Sequence, residues 1–353
     1  MPIATGLVGM AKSADGVVWE KIDGDGPLSE CFAPPPVAGE SFDGSHVAVG
    51  DVVQCDNIGE GSMLMYYFGG GTEATALVGG GTAFRGVKMA IGRASSNDGG
   101  RTWRREGSAL ISPREGEQMF VGWPTTVKGR SAVGGAESSD GDDLALLDEE
   151  SADGEEEATT AGEDEDEDED EVEDEVEDAD SEVLFYHACD LTDGGKFAIA
   201  RATWTGSGFE YADQYALTAG APGTFDAGGV SARSVVAHPS EPSRWLMAYE
   251  AQSEARRHTI GLALSVDEGV TWTRVGDGPI FEPGPEGAWD DGAVARPCLV
   301  LLPPDESAGA MAGAGTDGPR ARLFYLGRSA DGTQQGIGIA ECASGDWTEF
   351  VRL

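Results

Sequence analysis

The chain has 353 residues, with 23 basic and 64 acidic side chains and a formal net charge of −41. This acidic balance argues against a nucleic-acid partner, because such a partner requires a basic surface. No run of apolar residues approaches the length of a membrane helix, which is about 18 residues. Met1 to Ser13 lack the features of a secretory signal. We therefore expect neither a nucleic-acid nor a membrane partner.

The negative charge is concentrated in one segment. Of the 64 acidic residues, 27 lie between Glu137 and Glu182, and Glu163 to Glu171 is an unbroken Glu/Asp alternation. Such a tract repels itself and has no apolar surface to bury. We predict a disordered acidic insertion at 131–182 within one domain that spans 1–353. A solvated surface insertion is the favoured interpretation, and a docking segment for a basic protein is the alternative.

The cysteines and histidines show no pattern of a bound group. The five cysteines lie far apart without Cys-x-x-Cys spacing, which fits a reducing compartment such as the cytosol or a plastid. The four histidines have no metal-ligand spacing, and no Gly-x-Ser-x-Gly elbow is present. We expect no cofactor and no metal.

The first predicted elements form the outer half of a repeating unit. A strand at Leu7–Ala11 precedes a turn at Ser13–Trp19, which resembles two longer boxes at Ser96–Trp103 and Ser265–Trp272. Both longer boxes read Ser-x-Asp-x-Gly-x-Thr-Trp. The Asp carboxylate can accept backbone N–H groups across a turn where Gly supplies a positive φ. Each box therefore predicts a tight hairpin turn.

A second repeated feature opens each following unit, an acid four residues before a valine. After this acid-led strand come an aromatic-rich run, then a run in which Gly or Ala alternates with Ile or Leu, then the box. Four antiparallel strands in roughly 60 to 70 residues are typical of a β-propeller blade. We predict an all-β, five-bladed β-propeller with four complete four-stranded blades and an N-terminal half blade. The repeated pairs are Asp43 and Val47, Glu117 and Val121, Asp226 and Val230, and Asp290 and Val294.

The repeated acids are expected at one mouth of the central channel. The start of the innermost strand and the end of the second strand lie at the same end of a blade, because the two strands are antiparallel. A ring of carboxylates suits glycoside cleavage, which uses one protonated and one ionised carboxyl group. The catalytic candidates are Asp43, Glu117, Asp226, Glu250 and Asp290. The substrate-binding candidates are His187, Arg233, Arg296 and Arg328.

An acid that recurs in every blade can instead be a structural residue. Equivalence across blades favours this alternative, because a catalytic pair need not be repeated. Glu250 has no counterpart in the other blades and is the better candidate for the acid.

The chain resembles the five-bladed β-propeller glycoside hydrolases, a superfamily of arabinanases, β-xylosidases, fructosidases and mannoside phosphorylases. The resemblance is strongest in Trp289–Pro297 and Arg322–Ala340. These segments are similar to those of uncharacterised plant and algal members. It implies a glycoside hydrolase-like protein that acts on a plant or algal glycan. By resemblance, Asp43 takes the pKa-tuning role and Glu117 the acid role. The family's general base lies on the inner strand that the first blade lacks here.

Two other functions stay open. A non-catalytic carbohydrate-binding or scaffold propeller has the same repeats. A sialidase also carries these boxes, and Arg233, Arg296 and Arg328 could form its arginine triad. The small number of repeats argues against the sialidase.

Overall fold

The computed structural model describes residues 6–24, 26, 29–35, 41–55, 61–76, 83–114, 120–129, 181–190, 195–238, 241–302, 320–342 and 347–353. All regular elements in these ranges are β-strands, and none of the ranges contains a helix that could cross a membrane. The strands of the first half of the chain are β1 (Met10–Lys12), β2 (Glu20–Ile22), β3 (His46–Gln54), β4 (Met63–Gly70), β5 (Ala74–Ala76), β6 (Ala83–Arg85), β7 (Met89–Ser96), β8 (Arg104–Arg105), β9 (Gly122–Gly129) and β10 (Ser181–Asp190). Those of the second half are β11 (Lys196–Trp204), β12 (Phe209–Tyr211), β13 (Gly229–His238), β14 (Glu241–Gln252), β15 (His258–Ser265), β16 (Thr273–Arg274), β17 (Ala293–Leu301), β18 (Ala321–Arg328), β19 (Gln335–Cys342) and β20 (Val351–Arg352).

Four antiparallel four-stranded sheets form the blades of a β-propeller. Blade A has the strand order β3-β4-β7-β8, blade B β9-β10-β11-β12, blade C β13-β14-β15-β16 and blade D β17-β18-β19-β20. Strands β1 and β2 form a two-stranded sheet, the half blade, and β5 and β6 form a separate hairpin. The predicted all-β propeller with four complete blades and an N-terminal half blade is confirmed.

The blades pack face to face because successive side chains on a strand point to opposite faces. In blade A, Tyr66 packs toward blade B with Leu184, whereas its neighbour Tyr67 packs toward the half blade with Phe32. The same alternation joins blade B to blade C and blade C to blade D. The four innermost strands, β3, β9, β13 and β17, are neighbours in that order around the channel.

The half blade lies between blade D and blade A. Its Trp19 ring meets Phe324 edge to face at 6.1 Å, and Arg322 Nη1 donates to the Asp15 carbonyl at 2.8 Å. Among the described residues, β1 pairs only with β2. The side chain of Ile337 on blade D is 78% exposed.

The box turns form as predicted. Asp98 Oδ1 accepts the backbone N–H groups of Arg101 and Thr102, both at 3.0 Å, while Trp103 Nε1 donates to the Gly100 carbonyl at 2.9 Å. Gly100 has a φ of 84°. Asp267 and Asp15 accept the same kind of backbone bonds in their boxes. The Asp side chain of each box therefore stabilises the turn.

Residues 130–180 lie outside the described ranges, so the insertion predicted at 131–182 stays a prediction there. Ser181 and Glu182, its last two residues, begin strand β10. Glu117 also lies outside the described residues.

Candidate functional site

The repeated acid in blade C is enclosed by hydrogen bonds. Asp226 is fully buried, and its Oδ2 accepts bonds from Tyr249 Oη at 3.1 Å and Arg274 Nε at 2.6 Å. Its Oδ1 accepts the Thr224 hydroxyl at 2.9 Å, while Arg274 Nη2 donates to the Thr218 carbonyl at 2.6 Å. Inner, second and outer strands are thus tied together through one carboxylate. We call this arrangement the blade lock.

Blades A and D contain the same lock. Tyr67 and Arg105 donate to Asp43 at 3.0 and 2.6 Å. In each lock, the tyrosine ring stacks on the aromatic residue before the acid and lies over a glycine of the third strand. The full sets are Asp43, Tyr67, Arg105, Phe42 and Gly92 in blade A; Asp226, Tyr249, Arg274, Phe225 and Gly261 in blade C; and Asp290, Tyr325, Arg352, Trp289 and Gly338 in blade D.

The locks give three of the predicted catalytic acids a structural role. Burial alone would raise the pKa of Asp43, but the bonds from Ser41 and Arg105, the Arg105 charge and the Tyr67 bond lower it overall. Asp43, Asp226 and Asp290 point into the blades, and each accepts a hydrogen bond from an arginine.

Each inner strand carries a β-bulge just after the valine of the repeat. The register shift falls between Val49 and Asp51 in blade A and opposite Tyr186 in blade B. It falls between Val230 and Arg233 in blade C and between Ala295 and Cys298 in blade D. A bulge bends its strand and re-aims the side chain at that position. The mouth of the channel is therefore lined by bulge residues.

Two bulge residues have left-handed backbones. Trp123 and Arg296 both have a φ of 49°, and each precedes a proline. A non-glycine residue in this region carries about 1 to 3 kcal/mol of strain, which is retained most often at functional sites. The two residues occupy the same position of the repeat in blades B and D.

Trp123 is the centre of the site. The Arg296 guanidinium lies over its ring at 4.9 Å from the centroid, and Arg233 Nη2 donates to its backbone carbonyl. The ring centroids of Phe68 and His187 lie 4.3 and 4.6 Å from that of Trp123. Side chains of all four blades thus meet at one end of the channel.

Phe68, His187 and Glu250 occupy one repeat position, the residue after the second-strand tyrosine. The tyrosine points into the blade face, so the next residue points the other way. Glu250 Oε1 lies 2.8 Å from His258 Nδ1, and its Oε2 accepts the Arg296 backbone N–H at 3.1 Å. His258 Nε2 in turn lies 2.9 Å from Gln252 Nε2. Glu250 is held in a fixed orientation.

Burial and charge act together on His187 and Arg233. Burial and the positive charges of Arg233 and Arg296 lower the pKa of His187 well below its usual value, so the imidazole is neutral. Burial lowers the pKa of Arg233 to about 9, although the Glu250 and Asp51 charges oppose this shift. Arg233 is therefore a buried cation at neutral pH.

Asp51, on the inner strand β3, adds a second carboxylate. Its Oδ2 accepts the backbone N–H of Thr126 at 2.8 Å and the Thr126 hydroxyl at 3.0 Å. Burial, with a smaller contribution from the Asp51 charge, raises the pKa of the Cys298 thiol. Glu250 and Asp51 are thus the carboxylates whose charges reach Arg233.

The structure brings together four of the residues predicted from the sequence: His187, Arg233, Glu250 and Arg296. Arg328 is exposed and lies against Gly332 of its own hairpin. Sequence reasoning missed Trp123, Asp51 and His258. One feature of the sequence could have pointed to Trp123. Blades that are otherwise alike carry different residue types at its position in the repeat.

Blade B departs from the lock. Ala200 stands opposite Tyr186 where the other blades have glycine, and Tyr211 stands where they have arginine. Among the described residues, no three His, Cys, Asp or Glu side chains form a group suited to a metal ion.

No family model matches the chain, and a search of curated proteins found no match. Solved structures do match. An N-acetylgalactosamine deacetylase from F. plautii, in complex with blood group B trisaccharide, has a TM-score of 0.53 and 16% identity, covering 96% of this chain and 81% of that one. The chain has the fold of the propeller glycoside hydrolases.

Two further similar structures are glycoside hydrolases. A family 117 enzyme produced by the marine bacterium Zobellia galactanivorans gives a TM-score of 0.52 at 12% identity, over 98% of this chain and 75% of that one. A thermostable family-43 glycoside hydrolase gives 0.51 at 11% identity, over 96% and 83%. At such identities the likeness is one of fold, so the activity of this propeller has to be argued from its site.

Proposed function

We propose that this protein is a glycoside hydrolase-like propeller that binds a glycan over Trp123 and cleaves it with Glu250 as the proton donor. The observation that carries the proposal is the fixed carboxylate of Glu250 beside a buried cation at the channel mouth. The fold supports a carbohydrate ligand, and the plant or algal source of the glycan rests on the sequence resemblance.

Glu250 has the surroundings of a general acid. Its side chain is 13% exposed, and its nearest titratable partner, His258, is 33% exposed. A proton can pass from solvent to the imidazole and from there to the carboxyl group. General acid catalysis by one positioned group typically contributes about 10² to 10⁴ in rate.

Asp51 is our candidate for the second carboxylate. Glycoside cleavage uses a pair whose environments keep one group protonated and the other ionised. Thr126 donates two hydrogen bonds to Asp51, while Glu250 faces His258 and accepts the Arg296 backbone N–H. The two carboxylates therefore have different hydrogen-bond partners.

The test compares Glu250→Gln with Asp226→Asn in the full chain on a panel of aryl glycosides and glycans. We expect Glu250→Gln to lower kcat/KM by about 10² or more. Asp226→Asn should lower the stability and leave the turnover of each folded molecule close to that of the parent. Equal activity of the parent and Glu250→Gln would overturn the assignment.

A binding protein without catalysis is the second candidate. It is favoured by the occupied oxygens of Glu250, since His258 and the Arg296 backbone engage both of them. Saturable glycan binding with no turnover above that of Glu250→Gln would identify this function. A sialidase triad is disfavoured, because Arg328 lies against its own hairpin while Arg233 and Arg296 meet at Trp123.

A further inference from the structure

The site holds a buried cation whose donors are only partly used. Arg233 is 4% exposed, and its Nη2 donates to the Trp123 carbonyl. Its Nε and Nη1 are buried without an acceptor among the described residues. Burying an unpaired charged donor lowers the stability of the fold, and a bound group that accepts its hydrogen bond removes this cost.

Arg296 is a second guanidinium without a carboxylate partner among the described residues. Its side chain contacts the Trp123 ring, and this contact uses none of its N–H donors. The side chain is exposed and free to meet a ligand. Glu250 accepts the backbone N–H of Arg296, so the guanidinium stays available.

The two guanidinium groups act on the same small volume. Both positive charges lower the pKa of His187, whose ring packs on Trp123. Within the part of the chain that the structure describes, neither ring nitrogen of His187 has a hydrogen-bond partner. Two cations, a neutral imidazole and unused donors therefore surround one indole ring. This environment favours an anionic group over a neutral hydroxyl, because charge-assisted bonds are about twice as strong.

We propose that the site takes a sugar that carries a carboxylate, with Arg296 in contact with that group and Arg233 as the buried charge beneath it. This inference rests on the proposed function and names its substrate class. Arg233 acts mainly through its field, which is strong in a site of low dielectric constant.

The experiment pairs glycans that differ only in charge. Binding of the full chain to oligogalacturonides, glucuronoxylan and alginate oligomers is measured by calorimetry, beside the carboxyl-reduced form of each. At least one acidic glycan should bind about tenfold or more tightly than its reduced form, and added salt should weaken its binding. Sulfated galactans form a further arm, and tighter binding of these than of every uronate would overturn the carboxylate assignment.

Variants locate the charge. Arg296→Met, at an exposed side chain, should remove the preference for the acidic form, and Arg233→Met should reduce it. Arg244→Met is the matched control, because Arg244 lies at the other end of β14 and pairs with Glu241. It should keep the preference.

Failure of this inference differs from failure of the proposed function. Equal binding of acidic and reduced glycans, unaffected by Arg296→Met, refutes the carboxylate and leaves a neutral glycan-binding site. Absence of binding to every glycan in both sets refutes the proposed function and this inference with it.

Discussion

Removing Arg274 should destabilise blade C strongly, although the residue is on a short outer strand. Arg274→Met leaves the fully buried carboxylate of Asp226 with Tyr249 and Thr224 as its donors. Breaking a buried ion pair from one side typically costs 3 to 5 kcal/mol. Because the Arg274 side chain is 32% exposed, water can replace part of its contribution, and we expect a loss of about 2 to 4 kcal/mol.

Two further variants test the hydrogen-bond arrangement. Tyr249→Phe removes one donor from Asp226 and should cost roughly 1 to 2 kcal/mol. The double variant Asp226→Asn with Arg274→Met removes both charges, so it should cost less than the sum of the two single variants, by about 1 to 3 kcal/mol.

Urea unfolding followed by tryptophan fluorescence measures each free energy. The control is Lys88→Met, which breaks a pair with Glu73 whose side chains are 61% and 66% exposed, and which should cost less than about 1 kcal/mol. The lock would be refuted if Arg274→Met cost no more than Lys88→Met. It would be refuted equally by an Asp226→Asn variant that lost turnover and kept its full stability.

Three other predictions concern positions where one blade differs from another or where burial shifts a pKa. Ala288 stands two residues before Asp290, where blade C has Thr224. No described residue bonds to Asp290 Oδ1, so Ala288→Thr should raise the free energy of unfolding in urea by about 1 kcal/mol. Gly261→Ala places a Cβ 2.4 Å from the Tyr249 ring and should lower the free energy of unfolding by roughly 1 to 3 kcal/mol. Gly276→Ala is the control, because Gly276 is exposed and a Cβ there adds only the strain of a positive φ. Because the pKa of His187 is lower in the folded chain, the unfolded chain binds the proton first, and stability should fall as the pH drops below about 6.5. Urea titrations of His187→Phe from pH 7 to pH 5 should show a pH dependence shallower by up to about 1.4 kcal/mol per pH unit, and an unchanged slope would contradict the neutral imidazole.

The sequence by itself determined the repeat, and with it the propeller and the number of blades. Its signals are local: the box Asp98 bonds to groups no more than four residues away, so Ser-x-Asp-x-Gly-x-Thr-Trp is enough to specify the turn. The period of the strands follows from alternating apolar residues in short runs. The half blade was visible for the same reason, since its strand and box carry the pattern of the other units.

Only the tertiary structure decided what the repeated acids do. Tyr249 and Arg274, which both bond to Asp226, lie 23 and 48 residues away from it on two other strands, and no local pattern shows that they converge. The site depends on the same kind of convergence. Bulges turn Trp123 and Arg296 toward one another across β13, and the residue after the second-strand tyrosine brings His187 and Glu250 to the same end. Because repeated residues build the blades, the site is formed where the blades differ, and packing alone determines which of those differences meet.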